Sequence, residues 1–404
     1  MTKQKLTLLS VCAFLLSTFV SCGNILTQPT DSTSNSGTVN SGDFTDKVIN
    51  ALVYNCDDHE DSDDYSWNTS SVIPITLNGS SINVTGSGAT VSGTKVTVTS
   101  TGNYSISGTL SDGQIIVNTE DEGTVRLILN GANITSSTSA PIHIISAKKV
   151  VLVLADTTQN YVTDASSYSS STEEDAPNAT IFSMSDLTIF GNGILTVDAN
   201  YNDGIASKDG LIIKSGTINI NSVDDGIRGK DYLIVKNGNI TVKSGGDGLK
   251  SDNEDDSSKG YISIEAGTLN ITSGGDAIAA ETDVLISNGT ISLTSGGGSG
   301  YAVGTISTKG IKAIVNTIID DGTITINSAD DALHSNGCLV INGGTFSISS
   351  GDDGVHADSI LGINGGDILI KKSYEGIESA AIIITDGTIH VTSSDDGINA
   401  AGGN

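Results

Sequence analysis

Acidic side chains return at a fixed position of a repeated turn in the C-terminal half of the chain. The turn has the form Asp-Asp-Gly followed by an aliphatic residue. Its acidic position, here named the acid column, is occupied by Asp203, Asp225, Asp247, Asp276, Asp331, Asp353, Glu375 and Asp396. Carboxylate oxygens are the ligands that calcium takes in proteins. A carboxylate beside glycine is also ordinary turn chemistry, because its oxygens accept backbone N–H groups. Both interpretations are open for any single residue of the column.

Cations and further acids follow the turn at two set distances. Three residues after the acid column lies a second column, formed by Ala206, Arg228, Lys250, Ala279, His334, His356, Glu378 and Asn399. Five residues after it come Lys208, Lys230, Asp252, Glu281, Asn336 and Asp358. Carboxylates could hold calcium while Arg and Lys bind the carboxylate of an acidic sugar. Salt bridges at the surface are the alternative.

These registers predict two sets of ligand-binding residues. The predicted calcium ligands are Asp203, Asp225, Asp247, Asp252, Asp276, Glu281 and Asp353. The predicted carbohydrate-binding residues are Arg228, Lys230 and Lys250. Stacked His334 and His356 could bind a transition metal, with solvated histidines as the alternative.

A catalytic interpretation needs a base among the same residues. In a calcium-dependent polysaccharide lyase, Lys250 or Arg228 would abstract the proton beside a uronate carboxylate that calcium acidifies. A field of carboxylates instead favours the protonated lysine, which favours binding over catalysis. No Ser-His-Asp or Cys-His arrangement is legible in the sequence.

The spacing of the turns predicts the elements that position these side chains. The turn glycines or their alanine replacements are Gly204, Gly226, Gly248, Ala277, Ala332, Gly354, Gly376 and Gly397. Most of the intervals between them share one length, about 22 residues, which indicates a stacked repeat. Apolar and polar residues alternate between the turns, as in Thr217-Ile218-Asn219-Ile220, which is the pattern of a strand with one buried face. We predict an all-β fold, a right-handed parallel β-helix (solenoid) with rungs of about 22 residues. The aliphatic residue after each turn should form an inward ladder.

The chain divides into four predicted parts. Residues 1–22 form a signal peptide whose end resembles a lipobox, so Cys22 would be lipidated and the protein exported and anchored to the cell envelope; plain secretion is the alternative. Residues 23–71 form a flexible tether and an acidic N-terminal segment. Residues 72–185 form irregular first coils and residues 186–404 regular rungs. Insertions at Asp252 to Lys259 and at about Gly300 to Ile314 should be loops.

Charge restricts the partners. The chain of 404 residues has 47 acidic and 19 basic side chains and a formal net charge of -28. Such a surface repels nucleic acid and anionic membranes, which leaves a lipid anchor as the membrane contact and divalent cations as natural counterions. Cys56 and Cys338 fit neither a disulfide framework nor a zinc site. We expect a monomer.

Several strings resemble a bacterial family of carbohydrate-binding β-helix proteins. They include Asn202-Asp203-Gly204-Ile205-Ala206-Ser207-Lys208-Asp209, Asp224-Asp225-Gly226-Ile227-Arg228-Gly229-Lys230-Asp231 and Tyr374-Glu375-Gly376-Ile377-Glu378-Ser379, and the resemblance covers about residues 72 to 404. It implies a fold like that of polysaccharide lyases, bound calcium, and cellulose or acidic sugars as ligands.

The sequence therefore predicts a surface-anchored, calcium-dependent protein that binds polysaccharide, either cellulose or uronic-acid polymers. The alternatives are a calcium-dependent polysaccharide lyase and a structural, adhesin-like solenoid.

Overall fold

The computed structural model describes residues 59–61, 63–169 and 176–401. The predicted signal peptide, Cys22 and the predicted tether up to residue 58 lie outside the described residues. Within the described ranges, strands are joined by turns, there is one short 3-10 turn at Thr69–Ser71 and there is no α-helix. None of the described helical structure is long and apolar enough to span a membrane.

The described strands fall into an irregular first group and a regular second group. The first group comprises β1 Val72–Gly79, β2 Ile82–Val84, β3 Ala89–Ser92, β4 Lys95–Val98, β5 Gly102–Leu110, β6 Gln114–Asn118, β7 Thr124–Thr135, β8 Ile142–Ser146, β9 Lys149–Leu154, β10 Gln159–Thr163, β11 Ala179–Ser183, β12 Leu187–Gly191 and β13 Ile194–Ala199.

The second group carries the repeated turns. It comprises β14 Asp203–Ser207, β15 Gly210–Ile213, β16 Thr217–Ser222, β17 Ile227–Gly229, β18 Tyr232–Val235, β19 Asn239–Ser244, β20 Leu249–Ser251, β21 Tyr261–Ile264, β22 Thr268–Ser273, β23 Ile278–Ala280, β24 Asp283–Ile286, β25 Thr290–Ser295, β26 Ile311–Ala313, β27 Asn316–Ile319, β28 Thr323–Ser328, β29 Leu333–Ser335, β30 Cys338–Ile341, β31 Thr345–Ser350, β32 Val355–Ile363, β33 Asp367–Lys372, β34 Ile377–Ile384, β35 Thr388–Val391 and β36 Ile398–Ala400.

All of these strands belong to one long mixed sheet. From β11 to β29 each strand pairs in parallel with the strand three places later in the chain. Leu211 of β15 lies opposite Leu233 of β18, and Ile218 of β16 lies opposite Ile240 of β19. Both pairs are separated along the chain by the interval between Gly204 and Gly226, which is one repeat. Equivalent residues of neighbouring repeats are therefore hydrogen-bonded neighbours, which aligns each predicted column along the sheet.

The aliphatic ladder is buried as predicted. Seven of its members are completely buried: Ile205, Ile227, Leu249, Ile278, Leu333, Val355 and Ile377. The eighth, Ile398 in the last strand, is 53% exposed because no described repeat follows it. Burying an Ile or Leu side chain stabilises by about 1.5–3 kcal/mol, so the ladder holds the turn of each repeat to the core.

Small residues in the turn let neighbouring backbones approach. A Cβ atom on Gly204 would lie 2.5 Å from the carbonyl oxygen of Gly226 in the next repeat. A second glycine precedes the alternating strand, where Gly216 has a φ of 121°, a conformation that favours glycine.

The irregular regions differ from the regular repeat in pairing. Val96 pairs with Ile115, an interval shorter than the regular repeat, whereas Val150 pairs with Leu187, an interval much longer than it. Two antiparallel hairpins, β1 with β2 and β3 with β4, make the sheet mixed; the sequence did not predict them.

The two insertions are loops. Residues 252–260 separate β20 from β21, close to the predicted bounds, and residues 296–310 separate β25 from β26. The second loop begins before Gly300 and ends before Ile314, because β26 within the predicted loop is itself a strand, with Ile311 paired to Leu333. This strand belongs to a divergent repeat that lies between the turns at Ala277 and Ala332.

The end of the predicted tether contacts the sheet. Trp67 packs edge-on against Phe190, with ring centroids 5.9 Å apart, and the buried carboxylate of Asp64 binds Lys149 at 2.7 Å. Glu60 forms ion pairs with Lys214 and Lys236. The residues from 59 to 71 that the structure describes are therefore held by packing and charge.

Candidate functional site

In six acid-column carboxylates one oxygen accepts a backbone N–H: Asp203, Asp225, Asp247, Asp276, Asp331 and Asp353. The Asp225 N–H donates to Asp203 Oδ1 (3.2 Å), the Asp247 N–H to Asp225 Oδ1 (2.8 Å) and the Asp276 N–H to Asp247 Oδ1 (2.8 Å). The Asp353 N–H donates to the Oδ1 of Asp331 in the same way (3.0 Å). Each carboxylate thus links its repeat to the next, which is the turn chemistry raised by the sequence.

The second oxygen of Asp225 and of Asp247 faces the second column and forms an ion pair there. Lys250 Nζ lies 3.1 Å from Asp225 Oδ2 and 2.9 Å from Asp247 Oδ2. Arg228 forms a two-pronged pair with Asp252, with Nε–Oδ1 at 3.0 Å and Nη2–Oδ2 at 2.6 Å. Two of the three predicted sugar-binding cations, Arg228 and Lys250, therefore already have close carboxylate partners.

These ion pairs keep both cations charged. Burial acts to lower the pKa of Lys250, but the nearby carboxylates of Asp247 and Asp225 outweigh it and raise the pKa above its ordinary value. Burial likewise acts to lower the pKa of Arg228, but the hydrogen bond and the charge of Asp252 outweigh it and raise that pKa. Neither group supplies a base at neutral pH.

Burial disfavours the ionised forms of several predicted calcium ligands. Burial raises the pKa of Asp203 to about 7, with Asp225 adding to the rise. Burial also raises the pKa values of Asp225, Asp276 and Glu281, the last with a contribution from Glu254. Raised carboxylate pKa values mean that the ionised forms are costly here, so a bound cation would be stabilising.

The remaining predicted residues are spread along the columns. Lys230 lies 3.6 Å from the exposed carboxylate of Asp255. Asp353 lies near the other end of the acid column, where its Oδ2 is 3.2 Å from His356 Nδ1. Asp353 is the one predicted calcium ligand that belongs to a described group of three His or acid ligand atoms within 4.8 Å, with His356 and Glu378.

The divergent repeat places lysines in both columns. Lys309 takes the acid position: its N–H donates to Asp276 Oδ1 at 2.6 Å, as an Asp N–H does elsewhere. Its ammonium group binds Asp330 and Asp331, each at 2.9 Å. Lys312 pairs in register with Ala279 and His334 and lies 3.6 Å from Asp276 Oδ2.

Histidines replace the cations in the next two repeats. His334 Nδ1 lies 2.8 Å from Asp331 Oδ2, and the two imidazole rings meet edge to face at 4.9 Å. The hydrogen bond with Asp353 raises the pKa of His356 to about 9. Burial acts to raise the pKa of Asp331, but His334 and Lys309 lower it to about 2.

A shallow cavity of about 250 Å³ lies over the last repeats. Its lining is Gly351, Lys371, Lys372, Ser373, Tyr374, Thr392, Ser393 and Ser394, and it is named the Lys371 pocket. Tyr374 is 49% exposed, and both lysines are exposed. Neither lysine forms an ion pair with another described residue, and Lys372 donates to the backbone oxygen of Ser299. Ser373 Oγ is buried and has no hydrogen-bond partner among the described groups.

The comparisons with known proteins agree with this all-β architecture. A family model described as carbohydrate-binding domain-containing protein matches residues 92–354. The chain belongs to this family. A relative of the same description from Acetivibrio thermocellus is 47% identical over 125 residues, which is 31% of this chain and 44% of that protein. The chain thus spans less than half the length of that curated relative.

A solved structure extends the similarity beyond the matched segment. It is titled as the polysaccharide lyase-like protein from C. thermocellum, gadolinium derivative, and it is 28% identical with a TM-score of 0.51. The match covers 78% of this chain and 99% of that chain. This carbohydrate-binding domain protein therefore has a polysaccharide lyase-like fold.

Sequence reasoning missed the Lys371 pocket. The signal was a break in the repeat: Tyr374 occupies the position of Asp352 and Asp395, as the hydrogen bonds between these repeats show. A register shift after Ile348 accompanies the break. The sequence predicted a divergent rung between Asp276 and Asp331, but its turn, Lys309-Gly310-Ile311-Lys312, was included in the predicted loop although it has the pattern of Asp225-Gly226-Ile227-Arg228.

Proposed function

We propose that this protein binds acidic polysaccharide, with uronic-acid polymers preferred over cellulose. The Lys371 pocket carries the proposal. It combines an exposed aromatic ring with two lysines that have no acidic partner among the described residues.

Each of these groups suits an acidic sugar. The Tyr374 ring offers a flat apolar face to a sugar ring, while its hydroxyl keeps a polar end. Lys371 and Lys372 offer ammonium groups for charge-assisted hydrogen bonds to a uronate carboxylate. By contrast, Arg228 and Lys250 would first have to leave Asp252, Asp225 and Asp247.

Calcium is proposed as the counterion of the acid column. The oxygen available to it is Oδ2, because Oδ1 accepts a backbone N–H. Asp276 is the most favourable start, since Ala279 leaves the adjoining second-column position uncharged and Lys312 stands off at 3.6 Å. The raised pKa of Glu281 adds a second group that a cation would stabilise. The structural relative was solved as a gadolinium derivative, and gadolinium is a hard, oxygen-seeking cation.

Calorimetry on the full chain tests the sugar proposal. Polygalacturonate should bind in the presence of calcium, and cello-oligosaccharides more weakly. Lys371→Ala with Lys372→Ala should weaken polygalacturonate binding at least ten-fold, which is about 1.4 kcal/mol. Lys243→Ala is the matched control, because Lys243 is also an exposed strand lysine without a described ion pair. Equal binding by the pocket variant and the control would reject the pocket.

A calcium titration tests the cofactor separately. Asp276→Asn should lower calcium affinity, whereas Asp367→Asn, an exposed acid outside the column, should not. Sugar binding that is unchanged by a chelator would reject the calcium requirement and leave the pocket intact.

The lyase alternative finds no favourable geometry at Lys250 or Arg228, whose carboxylate partners hold them protonated. Prolonged incubation with several uronans should yield no unsaturated product absorbing in the ultraviolet.

We further infer that the parallel pairing winds as a right-handed β-helix whose rung equals one repeat of about 22 residues. Deletion of the segment 217–238, one full repeat, should keep every ladder in register and leave a cooperative thermal transition. Deletion of the segment 217–227, half a repeat, should abolish that transition because the strands on either side no longer match. Equal damage by both deletions would contradict the rung size.

Export and lipid anchoring at Cys22 are proposed from the sequence of residues 1–22. Mass spectrometry of membrane fractions should find a diacylated N-terminal cysteine, and Cys22→Ser should release the protein. Recovery of unmodified Cys22 in the medium would favour plain secretion.

A further inference from the structure

We propose that Asp331, His334 and His356 form a site for a borderline divalent transition metal such as Zn²⁺, with Asp353 beside His356. Two overlapping triads gather there, Asp331 with His334 and His356, and Asp353 with His356 and Glu378. In each triad the ligand atoms lie within 4.8 Å of one another.

The spacing of the ligand atoms fits one small ion. Asp331 Oδ2 lies 2.8 Å from His334 Nδ1 and 3.8 Å from His356 Nδ1, and Asp353 Oδ2 lies 3.2 Å from His356 Nδ1. A tetrahedral zinc ion with ligands at about 2.0–2.2 Å separates them by about 3.3 Å. The two Asp331 separations bracket that value, so small side-chain shifts would bring Asp331, His334 and His356 onto one ion.

The donor types select against calcium at this position. Calcium takes oxygen ligands, commonly six to eight of them, whereas imidazole nitrogen suits zinc, copper and nickel. The site therefore differs from the calcium proposed at Asp276, where the donors are carboxylates.

A second group already orients one imidazole. Asp358 Oδ1 lies 3.4 Å from His356 Nε2. Metal-binding histidines almost always donate their other N–H to a carboxylate or carbonyl, which fixes the tautomer. Without metal, His356 Nδ1 carries the proton that it shares with Asp353, and loss of that proton would leave Nδ1 as a ligand while Nε2–H faces Asp358.

The surroundings can release Asp331 to a metal. Lys309 shares its ammonium group between Asp331 Oδ2 and Asp330 Oδ1, each at 2.9 Å. With a metal on Asp331, Lys309 keeps Asp330. Asp331 Oδ1 continues to accept the Asp353 N–H, so the backbone link between the repeats is unaffected.

The register explains why the site can be tested without unfolding the chain. The second column holds Arg228, Lys250, Ala279, Glu378 and Asn399 in positions equivalent to the histidines. A column that accepts such different side chains should accept glutamine, so His356→Gln and His334→Gln are expected to fold.

Competition between the metal-free full chain and a chromophoric chelator for Zn²⁺ tests the site. The wild type should take up one zinc ion that His334→Gln and His356→Gln each weaken at least ten-fold. His390→Gln, which removes an exposed histidine elsewhere, should bind as the wild type does. Co²⁺ should give the intense visible absorption of a tetrahedral site in the wild type and lose it in both variants.

Two results would overturn the proposal. One is equal zinc affinity in the wild type and both histidine variants, which would place the metal elsewhere, for example on cysteine. The other is displacement of zinc by an equal concentration of calcium. Neither result bears on sugar binding, which is measured separately at the Lys371 pocket.

Discussion

Replacement of Lys250 by methionine removes the cation that joins two repeats. Its ammonium group lies about equally close to Asp225 Oδ2 (3.1 Å) and Asp247 Oδ2 (2.9 Å), and both carboxylates are largely buried, with side chains 8% and 17% exposed. Methionine keeps much of the length and apolar contact of the lysine stem. The substitution therefore isolates the charge.

The expected loss of stability follows from the burial of those carboxylates. Removing one partner of a buried ion pair costs about 3–5 kcal/mol. The Lys250 side chain is 30% exposed, so solvent screens part of the interaction and about 2–3 kcal/mol is expected at pH 7.5. Because folding raises the pKa of Lys250, the stabilisation is fully present at every pH below the unfolded pKa of the lysine. It is therefore complete at neutral pH.

The pH dependence gives the mechanism its signature. Burial already raises the pKa of Asp225, and loss of the ammonium group should raise it further. Protonation of Asp225 removes the unpaired charge, so the stability difference between Lys250→Met and the wild type should shrink as the pH falls toward 4. A packing defect would persist at low pH.

Urea unfolding in the presence of a chelator measures the difference at pH 4, 6 and 7.5. Lys243→Met is the control and should change stability by less than about 0.5 kcal/mol. Equal stability of the two variants at pH 7.5, or a Lys250→Met loss that does not vary with pH, would refute the reasoning. Excess calcium should recover part of the loss if the ion replaces the ammonium group between the two carboxylates.

Three further changes have definite expected outcomes. Asp203→Asn should stabilise the protein by about 2 kcal/mol at pH 8 in urea unfolding, because the folded pKa of about 7 makes the wild type lose stability as the pH rises from 4 through 7. Burial lowers the pKa of His143 to about 4, so the wild type loses stability as the pH falls from 6.5 through 4, and His143→Leu should move the acid-unfolding midpoint to lower pH. Gly226→Val should lower the thermal midpoint much more than Gly226→Ala, because a Cβ there meets the Gly248 oxygen at 2.5 Å and yet Ala277 is accommodated at the equivalent position.

The regular repeats were predictable because their register is physically over-determined. A slip of one residue would turn Ile218 and Ile220 outward and bury Asn219, so the alternating pattern admits one pairing. Ile205 and Ile227 then had to meet across neighbouring strands, and they do. The columns of the turn follow from the same constraint.

The first strands were less predictable because their repeat length varies. The chain between Val150 and its partner Leu187 holds a longer excursion, while Val96 reaches Ile115 directly. No fixed interval can be read from the sequence where the length of the insertion differs from one turn to the next. The antiparallel hairpins depend on local turns, which lie between Gly79 and Ile82 and between Ser92 and Lys95.

The sequence predicted that the carboxylates form a column, but it could not predict which partner each carboxylate oxygen binds. Asp247 Oδ1 binds the Asp276 N–H and Asp247 Oδ2 binds Lys250, a division that depends on the rotation of one side chain. The Lys371 pocket was hidden for another reason. It exists where Tyr374 departs from the repeat, and a search for regularity discards such departures.

Because the two oxygens have different partners, the charged side chains of the second column compete with any metal for Oδ2 of the acid column. Oδ1 is committed to the backbone, so any metal must bind Oδ2, which the neighbouring side chain also contacts. Arg228 and Lys250 compete with a metal through their permanent charge. His334 and His356 compete with a metal through a proton that can leave, after which the same nitrogen becomes a ligand. The two ends of the acid column are thus suited to different cations, although the repeated turn has the same backbone at both ends.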